Sequence, residues 1–236
     1  MKQVIIFLSF FVPLLMKGIE GGFDEEYYEL SMDEKRKVFA KRLDEMLDLA
    51  FERILQERNF ALNFLEEGAK KGYRELDPKR LERLVEIQQK YRIKLLFDAK
   101  AYSKKIDIIP KSMGIAQAMV ESATGTSRFT KEANNLFGEW TYTAKGLIPK
   151  QRTKGKTHRV RIFDSLQESV ESYLLNLNRN QAYEEFRTLR LEHRLKNKKL
   201  TGLNSIQTLI NYSEIKGKYV KILHSVITKY KLNEYD

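Results

Sequence analysis

The chain has 236 residues, 42% hydrophobic and 32% charged, a balance that excludes an intrinsically disordered polymer and fits a soluble globular protein. It contains no cysteine, which excludes disulfides and thiolate metal sites, and its three histidines, His158, His193 and His224, are too scattered to suggest a metal or haem centre. The net charge of +11 sits almost wholly in the second half: residues 1–109 carry net +1 and residues 110–236 net +10, a bias that attracts polyanions.

The N-terminus, "MKQVIIFLSFFVPLLMKG", has a basic Lys2 followed by an uncharged run from Val4 to Met16. Such a run is short of the roughly 20 residues that cross a bilayer and suits the apolar part of a signal peptide. No small-residue cleavage site follows, so an uncleaved N-terminal anchor is the alternative. Residues 1–19 are therefore expected to address the protein for export, to the periplasm or elsewhere in the cell envelope, and to stand outside the fold.

Residues 20–107 read as a helical extension of two or three helices. Ser31 and Glu34 form a capping box, after which Val38, Phe39, Leu43, Met46, Leu47, Ala50 and Ile54 recur at helical spacing. Asp77-Pro78 places a cap and a first-turn proline before Leu81, Leu84, Val85 and Ile87. These stripes predict core and no chemistry.

The next helix opens at Ile108-Ile109-Pro110 and runs to about Ser122, small and apolar until it reaches Glu121. A carboxyl at the end of so apolar a helix is expected to be partly desolvated, which raises its pKa and suits it to protonate a leaving oxygen. The segment "TYTAKGLIPKQRTKGKTHRVRIFDS" changes character, with β-branched residues and turn formers, and predicts a small hairpin with Val160, Ile162 and Phe163 on its returning arm. Ser165 and Glu168 form a second capping box before Val170, Tyr173, Leu174 and Leu177, and two further helices surround Gly217. The expected fold is α+β and mostly helical.

Three segments in order, "AQAMVESATGTSRF", "NNLFGEW" and "SVESYLLNLNRNQAY", resemble the motifs of the glucosaminidase family, glycoside hydrolase family 73, of the lysozyme superfamily. "YSKKIDIIPKSMGIAQAMVES", "KGLIPKQR", "NYSEIKGKYV" and "DPKRLERLVEIQQKYRI" resemble its Bax-type branch, so the likeness covers roughly residues 55 to 230. It implies a lysozyme-like domain over 108–236 that hydrolyses peptidoglycan without metal or organic cofactor, cutting the β-1,4 bond after N-acetylglucosamine.

Within that resemblance Glu121 is the general acid, and Asn135, Leu136, Phe137 and Gly138 form part of the cleft floor. Thr124 departs from the family's usual aromatic. The second catalytic group stays open, because the hairpin from Leu147 to Arg161, where many members carry a glutamate, holds no acid. Glu139 is one candidate; Tyr183, assisting attack by the substrate's acetamido oxygen, is another; a lytic transglycosylase needs neither. Trp140, with Phe137 and Tyr142, offers aromatic faces for a pyranose. Lys145, Lys150, Arg152, Lys154, Lys156, Arg159 and Arg161 make the hairpin basic, which suits carboxylates on lactyl groups or peptide stems. The rival readings are a muramidase or lytic transglycosylase on the same polymer and a non-catalytic wall-binding protein. Charge alone would also allow nucleic acid, but the expected leader argues against it, and membrane contact is expected only through an uncleaved leader.

Overall fold

A computed structural model describes residues 22–143, 146–149, 157–209 and 217–236. The expected leader and the hairpin cations Lys145, Lys150, Arg152, Lys154 and Lys156 lie outside the described residues.

The chain starts with a short helix, α1 (Glu25–Glu29), capped by Asp24, which accepts from the Tyr27 amide. Ser31 and Glu34 close the expected capping box at the start of α2 (Met32–Lys70). At about 1.5 Å per residue, its 39 residues make a rod about 58 Å long. Asp77 caps α3 (Pro78–Lys90) with Pro78 in its first turn, and Asp98 caps α4 (Ala99–Lys105). The expected two or three helices of the extension are thus four, because α1 and α4 are each too short to leave a periodic stripe in sequence.

The central element is α5 (Lys111–Glu121), in which every residue from Ser112 to Met119 is buried. It begins at Lys111, not Ile108, since Pro110 occupies the N-cap and supplies no side-chain acceptor. That acceptor comes from far along the chain: Asp236 takes the Ser112 amide at 2.9 Å, the Ser112 hydroxyl at 2.8 Å and the Gly202 amide at 2.9 Å. Small residues on α5 let α2, α10 (Gly217–Lys229) and α9 (Gly202–Ser205) close around it.

After α6 (Arg128–Ala133), strands β1 (Trp140–Thr141) and β2 (Arg159–Val160) pair antiparallel, Trp140 opposite Val160, with an added bridge from Leu147 to Val160. The expected hairpin is present, only two residues long in each arm. Ser165 then caps α7 (Leu166–Arg179), but Glu168 reaches past it to the Asp164 amide at 2.8 Å, so the expected second capping box is displaced by one residue. A 3₁₀ turn (Gln181–Tyr183) leads into α8 (Glu184–Leu195). The result is mostly helical with one small antiparallel strand pair. Its core is continuous from Phe23 and Phe39 of the extension through Met113 and Ile115 to Leu223 and Leu232.

Candidate functional site

The last residue of α5 is Glu121, and the chain then makes an abrupt left-handed detour. Ala123, Thr124 and Gly125 have φ of 51°, 53° and 73° in succession. This region is costly for a β-branched threonine, so the surroundings must hold it. They do so with four bonds: Ser122 Oγ donates to the Ala118 carbonyl at 2.6 Å and accepts from the Gly125 amide at 2.8 Å, the Thr124 amide reaches the Met119 carbonyl at 2.8 Å, and Tyr27 Oη donates to the Thr124 carbonyl at 2.6 Å. A side chain at Gly125 would also meet the Phe23 ring at 2.8 Å. The extension therefore grips the loop that follows Glu121.

Glu121 itself is open to solvent along its outer side, yet protein packed about the carboxyl removes enough water to raise its pKa. The one opposing influence is Tyr219, whose hydroxyl donates to Oε1 at 2.8 Å. Among the described residues no cation pairs with Glu121. The Tyr219 hydroxyl accepts in turn from Gln117 Nε2 at 3.2 Å, and Gln117 Oε1 accepts from Tyr173 Oη at 2.7 Å. The Tyr173 ring lies parallel on Phe137, centroids 3.9 Å apart. A buried polar chain thus links the acid at the end of α5 to the "NLFG" segment, two sites read separately in the sequence.

Tyr219 was not singled out by sequence reasoning. It lies 98 residues from Glu121, in the first turn of α10, within the "NYSEIKGKYV" segment that carries part of the resemblance. Tyr183 is buried in the hydrophobic core at the 3₁₀ turn; among the described residues the hydrogen bond to Glu121 comes from Tyr219.

Glu139 is the second carboxyl with a raised pKa. Burial is the main cause, and the Ser172 hydroxyl, Arg161 and Arg179 act against it. Oε2 accepts from Ser172 Oγ at 2.8 Å and lies 3.7 Å from an Arg161 nitrogen, while Oε1 is buried with no hydrogen-bond partner among the described residues. Asn135 holds this acid in place. Its Oδ1 accepts from the Glu139 amide at 2.9 Å, and its Nδ2 donates to the carbonyls of Glu139 and Arg161, both at 2.9 Å. Asn135 is almost fully buried and bonds the backbone with both its amide oxygen and its amide nitrogen, which makes it a fastener of the hairpin base. Phe137 is likewise buried against Tyr173, so its ring is part of the support beneath the site. At Gly138 the requirement is conformational, φ 67°, since an added Cβ would meet nothing within 4 Å.

Trp140 is 58% exposed with one face stacked on His158, centroids 3.9 Å apart, and Tyr142 is 81% exposed. These two aromatics remain available to a ligand. Two concavities are prominent, of about 940 and 360 Å³, and neither is lined by Glu121. The larger lies between α2, the 107–111 linker and α8; the smaller lies between α2, the end of α3 and α7, against the residues that hold Glu139.

A mostly helical fold that ends a buried helix on a partly desolvated carboxyl, with a second, half-buried acid just before the strand pair, has the parts of a glycoside hydrolase. The chain belongs to the glucosaminidase family, described as mannosyl-glycoprotein endo-beta-N-acetylglucosaminidase, which matches residues 97–232. It is similar to Protein bax of Escherichia coli strain K12, 29% identical over 189 residues, or 78% of this chain and 65% of that protein. The chain thus spans slightly less than two thirds of that relative's length. A solved structure, the catalytic domain of the autolysin Auto from Listeria monocytogenes, aligns with 75% of this chain and 88% of its own at 19% identity and a TM-score of 0.41.

Proposed function

We propose that the protein is an exported peptidoglycan hydrolase of the cell envelope, an endo-β-N-acetylglucosaminidase in which Glu121 is the general acid. The observation that carries this reading is the carboxyl of Glu121: partly desolvated, reachable from solvent and, among the described residues, without a cation and steadied by one phenolic donor. A protonated Glu121 gives its proton to the glycosidic oxygen as the bond from that oxygen to the anomeric carbon breaks. The departing chain leaves as an alcohol, and water completes the hydrolysis at the anomeric carbon. Positive charge that develops on the sugar needs a carboxylate or a neighbouring nucleophile. Glu139, with its unpartnered oxygen, is the described acid best prepared for that part. The choice of peptidoglycan rests on the motif resemblance and on the basic second half of the chain, which suits an anionic wall polymer.

The test is Glu121→Gln, which keeps the shape and removes the proton. General-acid loss is expected to lower glycan release from purified sacculi by about 10²–10⁴-fold with the melting temperature unchanged. Full activity in that variant would refute the assignment. Mass spectrometry of the wild-type products decides the bond: a reducing N-acetylglucosamine end supports the glucosaminidase, an anhydromuramic end a transglycosylase. Binding to sacculi with no soluble product would make the protein a wall-binding one.

A further inference from the structure

The smaller concavity has walls from both parts of the chain. Arg53 comes from α2, Lys90 from the end of α3, Arg161 from just beyond β2 and Arg179 from the last turn of α7, so four cations line it against the two carboxylates Glu168 and Glu171. Three of the cations are engaged. Arg53 pairs with Glu171, Lys90 with Glu57 at 2.7 Å, and Arg161 donates to Ser172 at 2.9 Å while facing Glu139 at 3.7 Å and Glu168 at 3.6 Å. Arg179 is different: it is partly buried, and among the described residues its side chain makes no hydrogen bond and no ion pair.

A partly desolvated guanidinium crowded by like charge is poorly placed unless an anion joins it. Burial and the neighbouring Arg92 and Arg161 all push the Arg179 pKa down, and only Glu139 offsets them. From these contacts we infer that the groove between α2, α3 and α7 is a subsite for a carboxylate of the substrate, held chiefly by Arg179 with Arg53 on the facing wall. This deepens the reading of the protein as a peptidoglycan hydrolase and rests on it, because that polymer carries carboxylates on its lactyl groups and peptide stems. It also assigns work to the helical extension, which forms one side of the groove. Arg161 and Ser172 line the groove and both touch Glu139, so a carboxylate seated there lies next to the second acid of the site.

The experiment is calorimetric titration of the full chain in the hydrolysis-dead Glu121→Gln background. Its ligands are a muropeptide with free stem carboxylates, the same muropeptide with those carboxylates amidated, and inorganic phosphate. The acidic muropeptide is expected to bind, and Arg179→Gln to weaken it about tenfold or more, the worth of one charge-assisted bond. Arg179→Lys should restore part of the loss, and Arg53→Gln, at an exposed position that tolerates change, should weaken binding severalfold. Amidation should abolish the dependence on Arg179. Equal affinity for the acidic and amidated forms, or an unchanged Kd in both arginine variants, overturns the subsite. Phosphate binding as tightly as the muropeptide overturns its assignment to a substrate carboxylate. Arg179-dependent binding in a protein whose wild type releases no glycan supports the subsite and rejects the hydrolase reading, so the two failures are distinguishable.

Discussion

Glu121 carries two opposed influences, and their balance sets a pH dependence. Desolvation favours the protonated form, while the Tyr219 hydroxyl, donating to Oε1, favours the carboxylate. With the folded-state pKa above its ordinary value, the group contributes stability below the usual carboxylate range and loses it as pH rises through the folded value. In the proposed mechanism the acid form that donates the proton is lost over the same interval. Tyr219→Phe removes the donor to the carboxylate, so the pKa rises further and the alkaline limb of the pH–rate profile should move to higher pH. A limb that stays in place or moves down would show that Tyr219 does not tune Glu121. Gln117 and Tyr173 act one step further away, by fixing the direction in which the Tyr219 hydroxyl points.

Among the elements, α5 decides where the acid sits, and its neighbours decide where α5 sits. Gly202 opens α9 against the first turn of α5, where an added Cβ would fall 2.0 Å from Ser112 Oγ and 2.8 Å from the Met113 amide nitrogen. The hydroxyl can rotate away, but the backbone nitrogen cannot. Gly202→Ala is therefore expected to cost about 1–3 kcal/mol by overpacking, read as a lower urea midpoint with unchanged slope. A midpoint equal to wild type would mean that α9 shifts freely. At the other end of α5, the Ser122 hydroxyl and the Tyr27 phenol hold three left-handed residues in a row. Such backbone is maintained only where its surroundings determine it, and here it lies directly beyond the proposed acid.

For the molecule as a whole, a buried charge cluster joins the extension to the rest. Asp107 is 1% exposed; Arg194 clasps it with two nitrogens, and Arg58 of α2 stands 3.8 Å away. Arg58 also donates to the Ser103 and Ile106 carbonyls, and Arg190 donates to those of Asp107 and Ile108, so one linker is tied to α2 and α8 together. Three arginines gathered about one carboxylate depend on it: burial and like charge lower the Arg190 pKa to about 10 even with Asp107 present. Asp107→Ala should cost about 3 kcal/mol, the low end for a broken buried pair, because Arg58 and Arg190 stay buried without their counter-charge while the half-exposed Arg194 regains water. Chemical denaturation would check this, and a loss under 1 kcal/mol would show that the cluster is a neutral decoration.

Much of this was written locally in the chain. The caps at Ser31 and Asp77, the apolar stripe of α2, the small-residue helix ending on Glu121 and the strand pair after it all follow from side chains that act within a few residues of themselves. Periodicity and capping are short-range effects, so a sequence displays them directly. The family motifs likewise lie in continuous stretches, and residues 97–232 match that family. What the chain order concealed was every partnership between distant residues: Tyr219 with Glu121, Asp236 with the start of α5, Tyr27 with the Thr124 carbonyl, and Asn135 spent on the backbone of the hairpin. Those choices depend on which helices pack side by side. Burial then fixes which polar groups must find partners and which, like Arg179, are left facing a groove.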